Sequence, residues 1–598
     1  MKKMRFVTVL LTLFVAVQAL AVPAKPGVFS YNQPDGSIVK LELHGDEFLS
    51  WYTLAGTNQV VRLDTQGYWQ PSSVTPAMRR EANERRREVY AQQRSFRPSV
   101  HKDNPVTHGT HHIPVILVQF KDVKFSLDGV KDRFTRMLNA PDYADDGATG
   151  SVAQYYSDNS HGAYDPIFDV YGPVTVPENL AYYGEEVQKA NGTVSHDRQP
   201  EMALYHACLQ LNATVDFSPY DADKDGYVDM ILFYYAGYSQ AEHASSDAIW
   251  PHKHSVKSSS HPEARNATFD GVKLADYFCT AELRGKEGTR MCGIGVTAHE
   301  FGHSLGLPDF YDTDYDENGR CAALGKFSIM SSGSYNDDSR TPPYYNAEER
   351  IYLGWMTESD LLPLPEGRVS FGSVQNDVAY YSPTTTEGEY FLYEFRDGTG
   401  WDRSIPKGLV VYHVDKSTVR KLGSYSPYNH WANWKKYNAI NAYGDHPCFY
   451  VVPAGAQSNL NFQGKVEEWV FPGSSRTTQF TPVDWEGSNL LGKLSSISYS
   501  LGQINFNFTK GLVDKYFGLI GLCAIEEPGC GQYTAGEAFP LKLTAPQGQS
   551  TRTVHWFYDG KEETGASVTL TAGDHRVSAV VEWTDNSTET LELLIHVQ

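Results

Sequence analysis

Thr297-Ala298-His299-Glu300-Phe301-Gly302-His303-Ser304-Leu305-Gly306-Leu307-Pro308-Asp309 is the stretch on which the reading of this 598-residue chain turns. His299 and His303 stand four residues apart, so a helix puts both imidazoles on one face. Two neutral imidazoles held that way make two thirds of a catalytic zinc site. Glu300 follows the first of them and points beside the metal. There it can take a proton from water and later pass it to a leaving amine. Gly306 permits a sharp turn after the helix, and that turn brings Asp309 within reach as a third ligand. The plain alternative is a histidine pair on the outside of an ordinary helix.

Asp309 stands where the metzincin peptidases carry a third His, and Asp is a sound zinc ligand. Downstream, Lys326-Phe327-Ser328-Ile329-Met330-Ser331-Ser332-Gly333-Ser334 places Met330 in a Ser/Gly-rich turn, the form of a Met-turn beneath such a site. Tyr335 is a candidate donor to a developing oxyanion, or a surface tyrosine. Upstream, Asp221-Ala222-Asp223-Lys224-Asp225-Gly226-Tyr227-Val228-Asp229 presents carboxylates on a tight loop at a spacing that suits Ca²⁺, with Asp229 closing the shell. Position twelve is Leu232, so this is no EF-hand, and an Asp/Gly surface turn is the competing reading. His252 and His254 invite a second-metal reading against a simple loop pair.

Working outward, residues 113–120 form a continuous apolar run of the kind a buried strand carries. Helical patterns at 130–138, 152–159 and 296–304 alternate with strand-like runs, an α/β or α+β arrangement over roughly 110–355. Beyond about 360 helices fade. Short strands separated by turns predict a β-sandwich, then a small Ig-like sandwich over 511–598. The front of the chain reads as short strands over 27–70, then an Arg-rich helix over 77–97. That helix is either a solvated face or a linker with a protease-sensitive end.

Residues 1–21 read as a secretory signal. Lys2, Lys3 and Arg5 precede an apolar run, and Ala19-Leu20-Ala21 gives the small-x-small cleavage pattern. The expected parts are therefore 1–21 signal peptide, 22–105 propeptide, 106–360 catalytic domain, 361–510 β-rich sandwich and 511–598 Ig-like domain. The fold class is multidomain: an α/β metzincin-like zinc peptidase domain, then β-sandwich domains, after an α+β prosegment. The formal net charge is -21. It is unevenly spread, slightly positive through residue 101 and strongly negative beyond. Such an acidic body argues against nucleic acid as a partner. Seven cysteines leave an odd one, with Cys523–Cys530 and Cys279–Cys292 as candidate pairs in an oxidising compartment.

With these residues in view, the chain resembles the immune inhibitor A family of secreted zinc metallopeptidases. The carriers are HEFGHSLGLPDFYD at 299–312, FSIMSSGSY at 327–335, DFSPYDADKDGYVD at 216–229, HIPVILVQFKD at 112–122, SVAQYYSDNSHG at 151–162, IWPHKHS at 249–255 and RIYLGWM at 350–356. YFLYEFRDGTGWDRSIPKGLVVYHVD at 390–415 resembles the β-rich segment that follows. The resemblance implies a zymogen with an N-terminal propeptide, a metzincin-like catalytic domain, structural calcium and endopeptidase activity on proteins. It implies His299, His303 and Asp309 as zinc ligands and Glu300 as general base.

The expected partners are protein and peptide substrates, on a monomer with no membrane span once the signal is removed. Residues 22–101 hold no Cys, which excludes a cysteine-switch propeptide. Asp46 or Glu47, in the turn after His44, is the expected cap on the metal. Two other functions remain in play: a surface adhesion protein with an idle peptidase domain, and a non-peptidase zinc hydrolase.

Overall fold

The computed structural model describes residues 19–20, 22–93, 106–188, 194–195, 197–376, 378–384, 386, 388–419, 428–429, 431, 438–485, 491–511, 524–525, 533–544, 551–584 and 588–597. Most of the expected signal peptide, the end of the Arg-rich stretch, and Cys523 and Cys530 lie outside them. The described chain divides into two compact units. One is Met1–Pro308 with Lys326–Met356, and the other is Asp309–Gly325 with Thr357–Gln598.

The first unit is built on a six-stranded sheet. Its order is Ala19–Leu20, His252–Ser255, Asp276–Leu283, Ile231–Tyr238, Gly109–Gln119, Tyr164–Thr175. The last four run parallel, while His252–Ser255 is antiparallel to Asp276–Leu283. The centre is buried on both faces, which is why the 113–120 run lacks polar alternation: Val115, Ile116, Leu117 and Val118 are fully buried. One face packs against the helix Pro200–Leu211 through a core including Met202, Leu204, Phe233 and Tyr235. The other carries the helix Ile294–Ser304, whose Phe301 stacks on Phe278 of the sheet at 5.5 Å and meets Tyr156 edge-on at 4.7 Å. Phe301 thus anchors one side of this helix in the core, leaving the His299/His303 side for chemistry.

Residues 29–71 form a separate five-stranded antiparallel meander, followed by the helix Pro76–Gln93. This helix is more than a solvated face. Arg86 is buried and its guanidinium pairs with Asp46 at 2.6 Å.

The second unit holds a five-stranded and a three-stranded sheet sharing one core, in which Phe391, Tyr393, Leu409 and Val411 meet Val369, Ile504 and Phe506. Toward the C-terminus, Thr551–Tyr558, Gly573–Trp583 and Thr588–Val597 belong to a four-stranded sheet, with a smaller core that includes Phe539, Val568 and Val577. Both regions are sheet-rich, as the turn-punctuated sequence predicts.

Cys208, Cys279, Cys292, Cys321 and Cys448 are free and buried. The expected Cys279–Cys292 bridge is therefore not formed; the Cys279 sulfur lies 3.6 Å from Nδ1 of His252 instead.

Candidate functional site

The helix Ile294–Ser304 presents His299 and His303 with ring centroids 4.7 Å apart. Their Nδ1 atoms face backbone carbonyls, His299 that of Ile329 at 2.7 Å and His303 that of Leu307 at 2.8 Å. A carbonyl only accepts, so each Nδ1 carries the proton. The two Nε2 atoms then offer lone pairs to one another across 3.1 Å. Two facing lone pairs repel, and a cation between them removes the conflict, as in metal sites whose His ligands donate their other N–H to a carbonyl. The turn that follows has Gly306 at φ +112°, a conformation L side chains rarely adopt.

Among the described residues, two groups of side chains are close enough to hold a metal. One is His299, His303 and Asp309, all buried, with one ligand atom from each within 4.8 Å of the others. The Asp309 carboxylate also accepts from Asn438 Nδ2 at 2.5 Å, a bond that orients it. Neither Asp46 nor Glu47 belongs to this group. Asp46 is held elsewhere, its Oδ2 by Arg86 and its Oδ1 by the Phe48 N–H at 2.9 Å.

The second group is Asp221, Asp223 and Asp225. Asp229 stands outside it and accepts from the Ala222 N–H at 3.0 Å. Burial, with Asp223 and Asp221 adding to it, pushes its carboxyl up to about 6. The loop carboxylates also cap their own backbone: Asp221 accepts from the Asp225 and Gly226 N–H groups, both at 3.0 Å. His252 and His254 join neither group. His252 lies 2.7 Å from the Trp250 carbonyl and 2.9 Å from the Tyr277 hydroxyl, and His254 lies 3.2 Å from the Ser258 hydroxyl.

Met330 is fully buried beneath the site helix. A Cβ on Gly302 would come within 2.8 Å of its sulfur, so the helix and the turn meet at closest approach there. The same turn supplies the Ile329 carbonyl that orients His299. Tyr335 is buried, and burial with the Glu242 and Glu300 charges holds its phenol well above the usual value. It is a donor, and it donates to the Pro23 carbonyl at 2.8 Å.

That last bond belongs to a feature with no local sequence signature. Residues 19–20 and 22–25 cross the site. Ala19–Leu20 pairs antiparallel with His254 and Lys253 on the sheet edge. The backbone N–H of Val22 donates to Glu300 Oε1 at 2.9 Å, and its carbonyl accepts from Trp250 Nε1 at 3.0 Å. Ala24 N–H donates to the Gly45 carbonyl at 2.8 Å and Lys25 N–H to the Ala241 carbonyl at 2.9 Å. Val22 is fully buried in a cluster with Trp250, Val296 and Tyr335. The sequence marks Val22 only as the residue after the expected export cut.

Comparisons with known proteins match the part of the chain that holds the His299–His303 helix. Residues 108–353 match the family described as Immune inhibitor A peptidase M6, catalytic domain. Immune inhibitor A of Bacillus thuringiensis subsp. alesti is 29% identical over 285 residues, which cover 41% of this chain and 38% of that protein. Pre-pro-metalloprotease PrtV of Vibrio cholerae serotype O1 (strain M66-2) is 26% identical over 262 residues, 38% of this chain and 27% of that protein. The matched part of the chain thus spans little more than a third of the first relative's length and about a quarter of the second's. Among solved structures, OgpA from Akkermansia muciniphila aligns over 81% of this chain and 92% of its own at 10% identity, but with a TM-score of only 0.23. Its chain trace therefore says nothing about this fold. Over residues 108–353 the chain is similar to the immune inhibitor A peptidase M6 catalytic-domain family.

Proposed function

We propose that the chain is a secreted zinc-dependent endopeptidase made as a zymogen. The observation that carries this reading is the pair of facing Nε2 lone pairs on His299 and His303, with the Asp309 carboxylate beside them. Two imidazoles and one carboxylate are a donor set that suits Zn²⁺ in a catalytic site. When bound, zinc supplies a Lewis acid that polarises the scissile carbonyl and makes water acidic enough to attack near neutral pH.

Glu300 is fully buried beside these ligands. It takes the proton from the attacking water and carries it to the leaving nitrogen. Its Oε1 already lies 2.9 Å from a backbone nitrogen, that of Val22, so it stands within reach of the atom it must serve. Tyr335, once the Pro23 carbonyl is gone, donates to the developing oxyanion. Met330 and the Ile329 carbonyl keep the ligand helix in place.

Latency follows from the same contacts. Residues 22–25 fill the space over Glu300 that a substrate must enter, so the prosegment has to leave before cleavage begins. The calcium reading of Asp221, Asp223 and Asp225 rests on loop spacing and on the closeness of the three carboxylates. It adds structural support to the proposal and no chemistry.

The test is a casein or gelatin assay on the exported and matured chain, with and without a zinc chelator, beside Glu300→Gln. Cleavage that stops with chelator and with Glu300→Gln is the expected result. Cleavage that survives either treatment overturns the assignment, and no cleavage by matured wild type favours a binding role for the sheet-rich second unit.

A further inference from the structure

The segment across the site also numbers the cleft. In peptide hydrolysis the general base returns its proton to the nitrogen of the first residue past the broken bond. Glu300 Oε1 touches the nitrogen of Val22, so Val22 stands in the place of that first residue and Lys25 in the place of the fourth. The grip on this segment is largely through its main chain. Trp250 holds the Val22 carbonyl, the Ala241 carbonyl takes the Lys25 N–H, and the strand His252–Ser255 takes Ala19–Leu20 as an added strand. Any extended peptide can make such bonds.

The Lys25 side chain adds something selective. Its ammonium lies 2.7 Å from Glu242 Oε2 and 2.6 Å from Asp338 Oδ1, with the side chain only 13% exposed. Both carboxylates are held in place independently of it. Glu242 Oε2 accepts from the Gly285 N–H at 2.9 Å. The other oxygen of Asp338 accepts from Arg284 at 3.1 Å and Arg290 at 2.9 Å. Burial works against the lysine charge, and Glu242 with Asp338 outweighs it, so the ammonium is held above its ordinary value. Asp338 keeps one oxygen for the incoming cation while two guanidiniums fix the other. Glu242, almost wholly buried, depends more on a cation arriving.

We propose that Glu242 and Asp338 form a specificity subsite that takes a lysine or arginine side chain at the fourth residue after the broken bond. The proposal rests on the endopeptidase reading above and deepens it: Lys25 is the built-in occupant, and a substrate's basic residue replaces it. Charge-assisted bonds at such distances are about twice as strong as neutral ones. A glutamate in the same place would meet two carboxylates, which turns the subsite against acidic sequences.

The experiment uses the exported, matured enzyme and three quenched fluorescent peptides that differ only at the fourth residue past the cut: Lys, Ala or Glu. The expected kcat/KM is about tenfold higher for Lys than for Ala, and higher still over Glu. In the Glu242→Gln/Asp338→Asn double variant the Lys-to-Ala ratio falls to within about twofold, and Glu242→Lys shifts preference toward the Glu peptide. Each ratio is taken within one enzyme preparation, so partial misfolding of a variant does not alter it, and the wild-type ratio stands even where a variant fails to fold. Equal rates of wild type on Lys and Glu peptides overturn the subsite and leave the peptidase reading intact, as does an unchanged ratio in the double variant. Failure to cut any of the peptides, together with no casein cleavage, overturns both.

Discussion

His299 and His303 lean on peptide carbonyls, and this sets their tautomers before any metal arrives. No single side-chain deletion removes such a buttress, but a shift of the Met330 turn does. Gly302 is the place to force that shift, because an added Cβ lands 2.8 Å from the buried Met330 sulfur. Gly302→Ala should destabilise the protein by about 1–3 kcal/mol and hasten loss of zinc to a chelator. Thermal melting and timed metal stripping check this, and unchanged values in both contradict the packing argument. His299, Glu300, His303 and Asp309 were legible in the sequence because one helix and one turn bring them together. The Ile329 and Leu307 carbonyls were not, since every residue carries a carbonyl. Asp46 shows the limit of reading one turn by itself: its carboxylate is claimed by Arg86, forty residues on.

The elements of the first unit were legible wherever burial imposes a pattern. The helix at 152–159 matches Val152–Asn159, and the apolar run at 113–120 falls within or beside Gly109–Gln119. What sequence could not show is the crossing of the site by residues 19–20 and 22–25, because most of their partners lie more than two hundred residues away in the chain. The contact between the meander and His243 was equally hidden. There Phe29 stacks on His243 at 3.5 Å, and the Tyr31 hydroxyl lies 2.9 Å from its Nδ1. Burial pushes His243 down to about 3, with Lys286, Lys25 and His44 opposing its charge further. A histidine depressed in this way is neutral when folded, so its contribution is complete above its unfolded value near 6.5. It fades as pH falls from there toward about 3. Acid should therefore loosen the contact of the meander with His243. The melting temperature of the full-length Glu300→Gln chain should drop between pH 7.5 and pH 5, and the drop should shrink when His243→Asn is added. An equal drop in both variants contradicts this account.

At the scale of the whole molecule, the division into a mixed α/β part and sheet-rich parts was visible in the loss of helical periodicity beyond residue 360. The ion network inside the second unit was not. Arg396 is fully buried with Glu394 at 2.7 Å and Asp402 at 3.2 Å, and those two acids look unremarkable in sequence. Arg396→Ala leaves two buried carboxylates without their cation and should cost roughly 3–5 kcal/mol. Calorimetry should show an early transition, and an unshifted melting profile rules the network out as a support. The strand His252–Ser255 carries one more consequence. Its outer edge is covered by Ala19–Leu20, and under the proposed export reading a cut after Ala21 would take both residues away. Before that cut the His252–Ser255 edge is paired. After it, that strand would offer a bare row of N–H and C=O groups to an extended chain. That row is an aggregation hazard in a crowded export route, so the cut that frees the protein also creates its need for a short, quickly filled edge.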